Sequence, residues 1–140
     1  MCWDISLHTD IEIVKKAFPL LKDERRQLDY NYDYLENVQA ITFPKYPILY
    51  KQKDSEQLAL TEMEWGVLPT FITDQKLQTD RRRNMVNVRS ERILEDKKSY
   101  WYRLRNQRCL IPVSGTFEHR AVKGWKKKVI TVLESRKEPA

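Results

Sequence analysis

Cys2 stands out chemically because it directly follows the initiator methionine. Removal of Met1 would leave Cys2 with a free α-amine and a thiol on adjacent carbons. The amine ordinarily titrates near ~8 and the thiol near ~8.5, so both groups are partly reactive at neutral pH. Such a 1,2-aminothiol condenses with an aldehyde to an imine, and the thiol then closes a five-membered thiazolidine ring. A small buried apolar residue is the alternative interpretation, and these two residues alone favour that alternative.

The length and composition predict one globular domain over residues 1–140. Hydrophobic residues make up 41% of the chain and aromatic residues 11%, which is more than a disordered chain contains. No apolar run approaches the ~20 residues of a membrane span, and no cleavable leader opens the chain. We therefore expect a cytoplasmic protein with no membrane partner.

Cysteine and histidine are too sparse to predict a metal site. The chain has two cysteines, Cys2 and Cys109, and two histidines, His8 and His119. They are far apart in the sequence and match no spacing of a zinc site or a disulfide framework. We expect no metal and no cofactor.

Positive charge is concentrated between residues 80 and 108. This segment has ten Lys or Arg residues and four acidic ones, so its net charge of +6 equals that of the whole chain. Three aromatic residues, Tyr100, Trp101 and Tyr102, lie within it. The pattern indicates a polyanionic partner, nucleic acid first, and the alternative is a solvated surface with ordinary charges.

The elements that must position these residues are predicted to be one helix followed by short strands. Residues 5–22 have helical apolar spacing, with Thr9 as N-cap and Glu12 three residues later. Residues 76–83 are predicted to be a polar connection, and Ser90 and Ser99 to cap short helical turns. Short apolar runs between turn residues predict strands of a mixed or antiparallel sheet at 39–43, 47–50, 58–60, 63–69, 85–88, 108–112, 115–119 and 126–133.

Three further sequence blocks follow Met1-Cys2 in order. Residues 64–69 read E-W-G-V-L-P, residues 87–91 read N-V-R-S-E, and residues 108–118 read R-C-L-I-P-V-S-G-T-F-E. Together with the N-terminal cysteine, these blocks resemble the SOS response-associated peptidase (SRAP) family. The corresponding family runs are approximately W-G-L-I-P, N-A-R-x-E and R-C-L-I-P-x-x-G-F-Y-E-W. Order and spacing agree from Cys2 to about residue 128.

The resemblance implies an α+β fold, with a mixed and mainly antiparallel, barrel-like sheet and a few short helices. It also implies a DNA-repair protein that senses abasic sites in single-stranded DNA and traps them covalently as a thiazolidine on Cys2. The expected partner is therefore single-stranded DNA with abasic sites, with association to the nucleoid when DNA is bound. The family name refers to an autopeptidase step, which here would remove the residue before Cys2.

The resemblance also implies roles for individual residues. Cys2, Asn87 and Glu118 would be catalytic, with Glu118 assisting sugar ring opening and imine formation as an acid/base. Read without the family, Glu118 is a surface glutamate and Asn87 a turn-capping amide.

DNA contacts follow from the same resemblance. Arg89 would bind a phosphate from the same strand face as Asn87, whereas an ion pair with Glu91 is its alternative. Phe71 would stack on a base, and Trp65 would form the pocket wall beside the DNA. Cys109 is predicted to be an inert core residue.

The chain also departs from the family pattern. Asp4 stands near a position where the family often has arginine, Thr116 replaces an aromatic residue, and His119 replaces tryptophan. The family domain continues to a block resembling I-H-x-R-M-P, for which this chain has no counterpart. We therefore expect an incomplete, N-terminal portion of the family domain, whose own activity is open.

Three other functions stay open from the sequence. The chain could be a non-covalent single-strand nucleic-acid-binding module that uses residues 80–108, an inactive truncated paralogue, or a hydrolase with an N-terminal cysteine nucleophile. Covalent trapping requires Cys2, whereas electrostatic binding does not and weakens with salt.

Overall fold

The computed structural model describes residues 4–7, 11–25, 35–69 and 71–134. Along these ranges, the strands precede or follow a run of three short helices in the middle of the chain, and a 3-10 turn over Ala40–Thr42 lies among the earlier strands. The strands are β1 Asp4–Ser6, β2 Lys22–Asp23, β3 Val38–Gln39, β4 Lys45–Lys51, β5 Leu58–Glu64, β6 Cys109–Leu110, β7 Gly115–Arg120 and β8 Val129–Glu134. The helices are α1 Ile11–Ala17, α2 Gln75–Arg83, α3 Ser90–Leu94 and α4 Tyr100–Arg103.

The strands form two four-stranded sheets. The first has the order β3-β1-β7-β8 and is antiparallel throughout. The second has the order β2-β5-β4-β6, in which β2 pairs parallel to β5 and the other pairs are antiparallel. The α+β prediction is confirmed, but within the described ranges the two sheets do not join into a closed barrel.

The hydrophobic core joins both sheets to α1. Its buried members are Ile5, Leu7, Ile11, Val38, Tyr46, Leu49 and Leu60. Val14, Phe18, Leu21, Leu35 and Trp65 pack against them. Each fully buried aliphatic side chain stabilises the fold by roughly 1.5–3 kcal/mol, so this cluster holds the short elements together.

The N-terminal helix is shorter than its periodicity predicts. Residues 4–6 form β1, with Ile5 opposite Val38 on one side and Thr116 on the other, and only Ile11–Ala17 is helical. Pairing with two strands satisfies the backbone of residues 4–6 and buries Ile5, which outweighs their local helical pattern. The predicted cap, Thr9, lies outside the described residues.

Two predictions between residues 75 and 89 are wrong. The polar connection is the helix α2, capped by the Asp74 carboxylate, which accepts a hydrogen bond from the Leu77 amide at 2.7 Å. Lys, Gln and Arg favour helices. The sequence did not predict this helix because it has no apolar stripe. Residues 85–88 form the end of a turn and an irregular segment rather than a strand, because the Met85 amide bonds back to the Arg82 carbonyl at 2.8 Å.

The structure also gives different bounds for two of the predicted strand regions. The predicted strand 39–43 is β3 followed by the 3-10 turn, which ends at Phe43 with a left-handed φ of 51°. The predicted strands 58–60 and 63–69 are one strand, β5, that ends at Glu64. The predicted cap Ser99 is confirmed, since its hydroxyl accepts a hydrogen bond from the Trp101 amide at 3.2 Å.

Candidate functional site

Trp65 joins the first sequence block to the second. Its indole Nε1–H donates a hydrogen bond to the Val86 carbonyl at 3.1 Å, and its backbone amide donates to the Pro44 carbonyl at 2.8 Å. The ring is half-buried and packs against the core. These contacts are structural, as expected of a residue in a pocket wall. They also hold the chain immediately before Asn87.

Asn87 and Arg89 follow the turn that Trp65 holds. Asn87 is half-buried, and its Oδ1 accepts a hydrogen bond from the Val88 amide at 3.1 Å. Arg89 is exposed and occupies the N-cap position of α3. The two residues do not share a strand face as predicted, and among the described residues no ion pair joins Arg89 to Glu91. The Arg89 guanidinium is therefore accessible to a phosphate.

Glu118 lies in β7, beside the strand that begins two residues after Cys2. In the β1–β7 pair, Phe117 is opposite Asp4, and in the β7–β8 pair Glu118 is opposite Thr131. Glu118 is half-buried. Cys2 itself lies outside the described residues.

The third block is tied to both sheets. The Ser114 amide donates to the Ser6 carbonyl at 2.8 Å, at the end of β1 and immediately before the start of β7. The Tyr46 hydroxyl, on β4, donates to the Pro112 carbonyl at 2.8 Å. These contacts fix the start of β7 and so the strand that contains Glu118.

Phe71 lies on the surface next to a shallow cleft. Its side chain is 66% exposed, and its ring centroid is 5.2 Å from that of Tyr100 at an interplanar angle of 60°. The cleft has a volume of about 390 Å³ and is lined by Gly66, Val67, Leu68, Tyr100, Leu104 and Gln107. Phe71 and Tyr100 thus form an aromatic pair at the edge of a cleft, an arrangement on which an unpaired base can stack.

The basic segment is largely accessible. Eight of its ten basic side chains are exposed: Arg81, Arg83, Arg89, Arg92, Lys97, Lys98, Arg103 and Arg108. Arg105 is half-buried, with its guanidinium carbon 4.0 Å from the centroid of the Tyr102 ring. The exposed charges extend over α2, α3 and α4 and give this part of the molecule a positive surface.

Arg82 is largely enclosed, unlike the exposed basic residues of this segment, and the sequence does not single it out. Its side chain is only 14% exposed and forms an ion pair with Glu64 at 2.6 Å. Within a run of three arginines, the sequence gives no signal that distinguishes the buried one, because all three have the same type and helical context.

Cys109 is not the core residue that the sequence predicts. It lies in the two-residue edge strand β6 and is exposed. Its sulfur is nevertheless sufficiently enclosed for desolvation to raise the pKa of the thiol. A raised pKa lowers the thiolate fraction at neutral pH, so Cys109 is a poor nucleophile.

Neither a metal-binding cluster nor a membrane-spanning helix occurs in the described part of the chain. No group of three or more His, Cys, Asp or Glu side chains is placed to hold a metal ion there. No helix in those ranges has the length and apolarity needed to cross a bilayer.

The fold and site define an α+β protein in which β1 pairs with β7, the strand that contains Glu118, and in which the surface formed by residues 80–108 is basic. A family model described as SOS response associated peptidase (SRAP) matches residues 1–139. The chain belongs to the SRAP family, and membership gives it a role associated with DNA damage. No curated protein and no solved structure matches the chain.

Proposed function

We propose that this protein traps abasic sites in single-stranded DNA through a thiazolidine formed by Cys2. The observation that carries the proposal is the pairing of β1 with β7, in which Asp4 lies opposite Phe117. Asp4 comes two residues after Cys2 in the sequence, and two extended residues span at most about 7 Å. Glu118 is the next residue of β7 after Phe117, and this register is what supports a role for its carboxyl group at the N-terminal cysteine.

The reaction begins with the free α-amine that Met1 removal exposes. The amine attacks C1′ of the ring-opened abasic sugar, which is an aldehyde, and gives a carbinolamine. Loss of water leaves an imine, and the Cys2 sulfur then adds to the imine carbon while the nitrogen takes up a proton. The product is a thiazolidine, and the only molecule released after Met1 removal is water.

Glu118 acts in this scheme as the acid/base. A carboxylic acid can protonate the departing hydroxyl of the carbinolamine, and the carboxylate can accept a proton when the sugar ring opens. Asn87 hydrogen-bonds the sugar or the adduct through its side-chain amide. Arg89 binds a neighbouring phosphate, for which an exposed guanidinium is suited.

The test uses the two cysteines as a matched pair. Protein with Met1 removed is incubated with a single strand containing one abasic site, beside an intact strand, and run on a denaturing gel. We expect a shifted band with the damaged strand only, loss of that band in Cys2→Ser, and its retention in Cys109→Ser. An undiminished band in Cys2→Ser would refute the proposal.

Non-covalent binding of single-stranded DNA is the second candidate function, and the accessible basic surface favours it. The eight exposed basic residues suit a backbone of phosphates, and Phe71 with Tyr100 offers a stacking surface. Such binding should not depend on Cys2 and should weaken steeply with salt. Cys2→Ser that retains full affinity for intact strands, while the parent forms no covalent product, would favour this candidate.

A further inference from the structure

Arg82 contacts three residues, Glu64, Trp65 and Phe43, with one side chain that is only 14% exposed. Its Nη1 pairs with the Glu64 carboxylate at 2.6 Å, at the end of β5. Its Nη2 donates to the Trp65 carbonyl at 2.9 Å. Its guanidinium carbon lies 4.1 Å from the centroid of the Phe43 ring. A planar, permanently charged guanidinium suits this set of contacts, because two of its nitrogens bond separate partners while its carbon lies over the ring.

Gly66 lies directly beside this arrangement, in a backbone conformation that favours glycine. The residue has a φ of +100°, and a Cβ at this position would lie 3.4 Å from Arg82 Nε and 3.6 Å from the Phe43 ring. A side chain would therefore be strained there by the backbone conformation, while its Cβ would be in ordinary van der Waals contact with Arg82 and Phe43. The first sequence block is thus built so that its backbone passes close to Arg82.

The contacts of Arg82 and Trp65 close a ring around the turn before Asn87. Arg82 bonds to the backbone carbonyl of Trp65, and the Trp65 indole bonds to the carbonyl of Val86. The turn is also closed locally by the Met85 amide, which donates to the Arg82 carbonyl at 2.8 Å. Trp65 is therefore attached to both ends of the segment 82–86, and Asn87 is the next residue.

We propose that Arg82 is a positioning residue for the reaction: it holds Trp65 against the 82–86 turn and so fixes where Asn87 and Arg89 present their side chains. The role of Asn87 in this inference rests on the proposed function. Arg82 does not contact the DNA, because its guanidinium is enclosed by Glu64, Trp65 and Phe43. Its neighbour Arg83 has the same charge on the same helix but is exposed.

The first experiment measures the turn without any DNA. Hydrogen exchange of the Trp65 indole N–H is followed by NMR in the parent, Arg82→Gln and Arg83→Gln, with the indole signal assigned by Trp65→Phe. We expect exchange to accelerate at least about tenfold in Arg82→Gln and to stay unchanged in Arg83→Gln, because a lost hydrogen-bond partner releases Trp65. Arg82→Lys keeps the charge beside Glu64 and should give an intermediate rate. Equal exchange in Arg82→Gln and the parent would overturn the inference.

The second experiment separates positioning from DNA affinity. Single-turnover cross-linking is measured against DNA concentration, at a temperature where the melting curves show every variant folded. We expect Arg82→Gln to lower the rate at saturation about tenfold or more with little change in the half-saturating concentration, since a small misplacement of a reacting group slows a reaction strongly. Arg83→Gln should instead raise the half-saturating DNA concentration and leave the rate at saturation nearly unchanged.

The outcomes distinguish this inference from the proposed function. A higher half-saturating concentration with an unchanged maximal rate in Arg82→Gln would make Arg82 an ordinary DNA-binding charge and refute positioning. If the parent forms no cross-link, the proposed function fails. The indole exchange then decides by itself whether Arg82 fixes the turn.

Discussion

The Tyr46 hydroxyl donates a hydrogen bond of 2.8 Å to the carbonyl of Pro112, so a core residue of one sheet holds the segment that leads into a strand of the other. Tyr46 is 2% exposed. Burial raises the pKa of its phenol above the ordinary value, so the hydroxyl remains a donor throughout the neutral range. Through this bond the second sheet fixes the start of β7, which contains Glu118.

Tyr46→Phe should therefore destabilise the protein. The change removes the donor and leaves the Pro112 carbonyl without it, which typically costs about 1–2 kcal/mol of unfolding free energy. Urea unfolding of both proteins measures the difference. The matched control is Tyr50→Phe, whose hydroxyl donates to the half-exposed Glu24 carboxylate at 2.9 Å and should matter less. Equal losses in the two variants would contradict the importance of the Tyr46 contact.

Asp23 should make the free energy of unfolding depend on pH in the acidic range. Hydrogen bonds from Arg25, whose side chain is only 10% exposed, hold the pKa of this carboxyl well below its ordinary value, and Lys15 adds an ion pair at 2.9 Å. Because the pKa is lower in the folded than in the unfolded state, the ionised form stabilises the fold above the unfolded value near ~4. That stabilisation is lost as the pH falls below ~4 toward the folded pKa.

In Asp23→Asn, the unfolding free energy should accordingly fall less between about pH 5 and pH 2 than it does in the parent. The substitution should also lower the unfolding free energy at pH 7 by roughly 1–2 kcal/mol. Urea unfolding as a function of pH measures both effects. Asp80→Asn, on the exposed side of α2, is the control. A profile for Asp23→Asn that parallels the parent's would mean that the Arg25 contact contributes nothing to stability.

Arg89→Ala should weaken binding to any single strand, damaged or intact, because a phosphate contact carries no base information. The slope of log affinity against log salt should become shallower by about 0.7, the value for one phosphate contact on a single strand. Fluorescence anisotropy over a salt series gives the slope. Glu91→Ala, two residues along α3, tests whether any nearby charge change has the same effect. An unchanged slope in Arg89→Ala would remove Arg89 from the DNA interface.

Glu118→Gln should slow formation of the covalent product by roughly 100-fold at saturating DNA, since the amide cannot transfer a proton. Affinity for an intact strand should be unchanged, because removing this carboxylate removes no phosphate contact. Rapid quench of the cross-linking reaction gives the rate, and Glu91→Gln provides an exposed glutamate for comparison. A Glu118→Gln rate within twofold of the parent's would assign the acid/base role elsewhere.

Predictability from the sequence differed between elements for physical reasons. The strands β4, β5 and β7 were found because alternating or continuous apolar residues between turn residues report burial directly. The periodicity predicts a helix from residue 5 onward, whereas the pairing of Ile5 with Val38 and Thr116 makes residues 4–6 a strand. The helix α2 was missed because it has no buried residue, so it left no apolar periodicity to detect.

The sequence by itself determined the chemistry that is available and the family. A cysteine after Met1, the three sequence blocks and the basic segment are local facts, and each follows from residue type and order. Those facts name Cys2, Asn87, Arg89 and Glu118 as candidates without saying how they are held.

The tertiary structure alone decided how Asn87, Arg89 and Glu118 are positioned. Arg81, Arg82 and Arg83 are equivalent in sequence, yet only Arg82 is enclosed by Glu64, Trp65 and Phe43. Likewise Trp65 reaches a carbonyl 21 residues away along the chain, and Tyr46 one 66 residues away. Contacts between residues so distant in sequence depend on the packing of whole elements, which no local pattern of residue types contains.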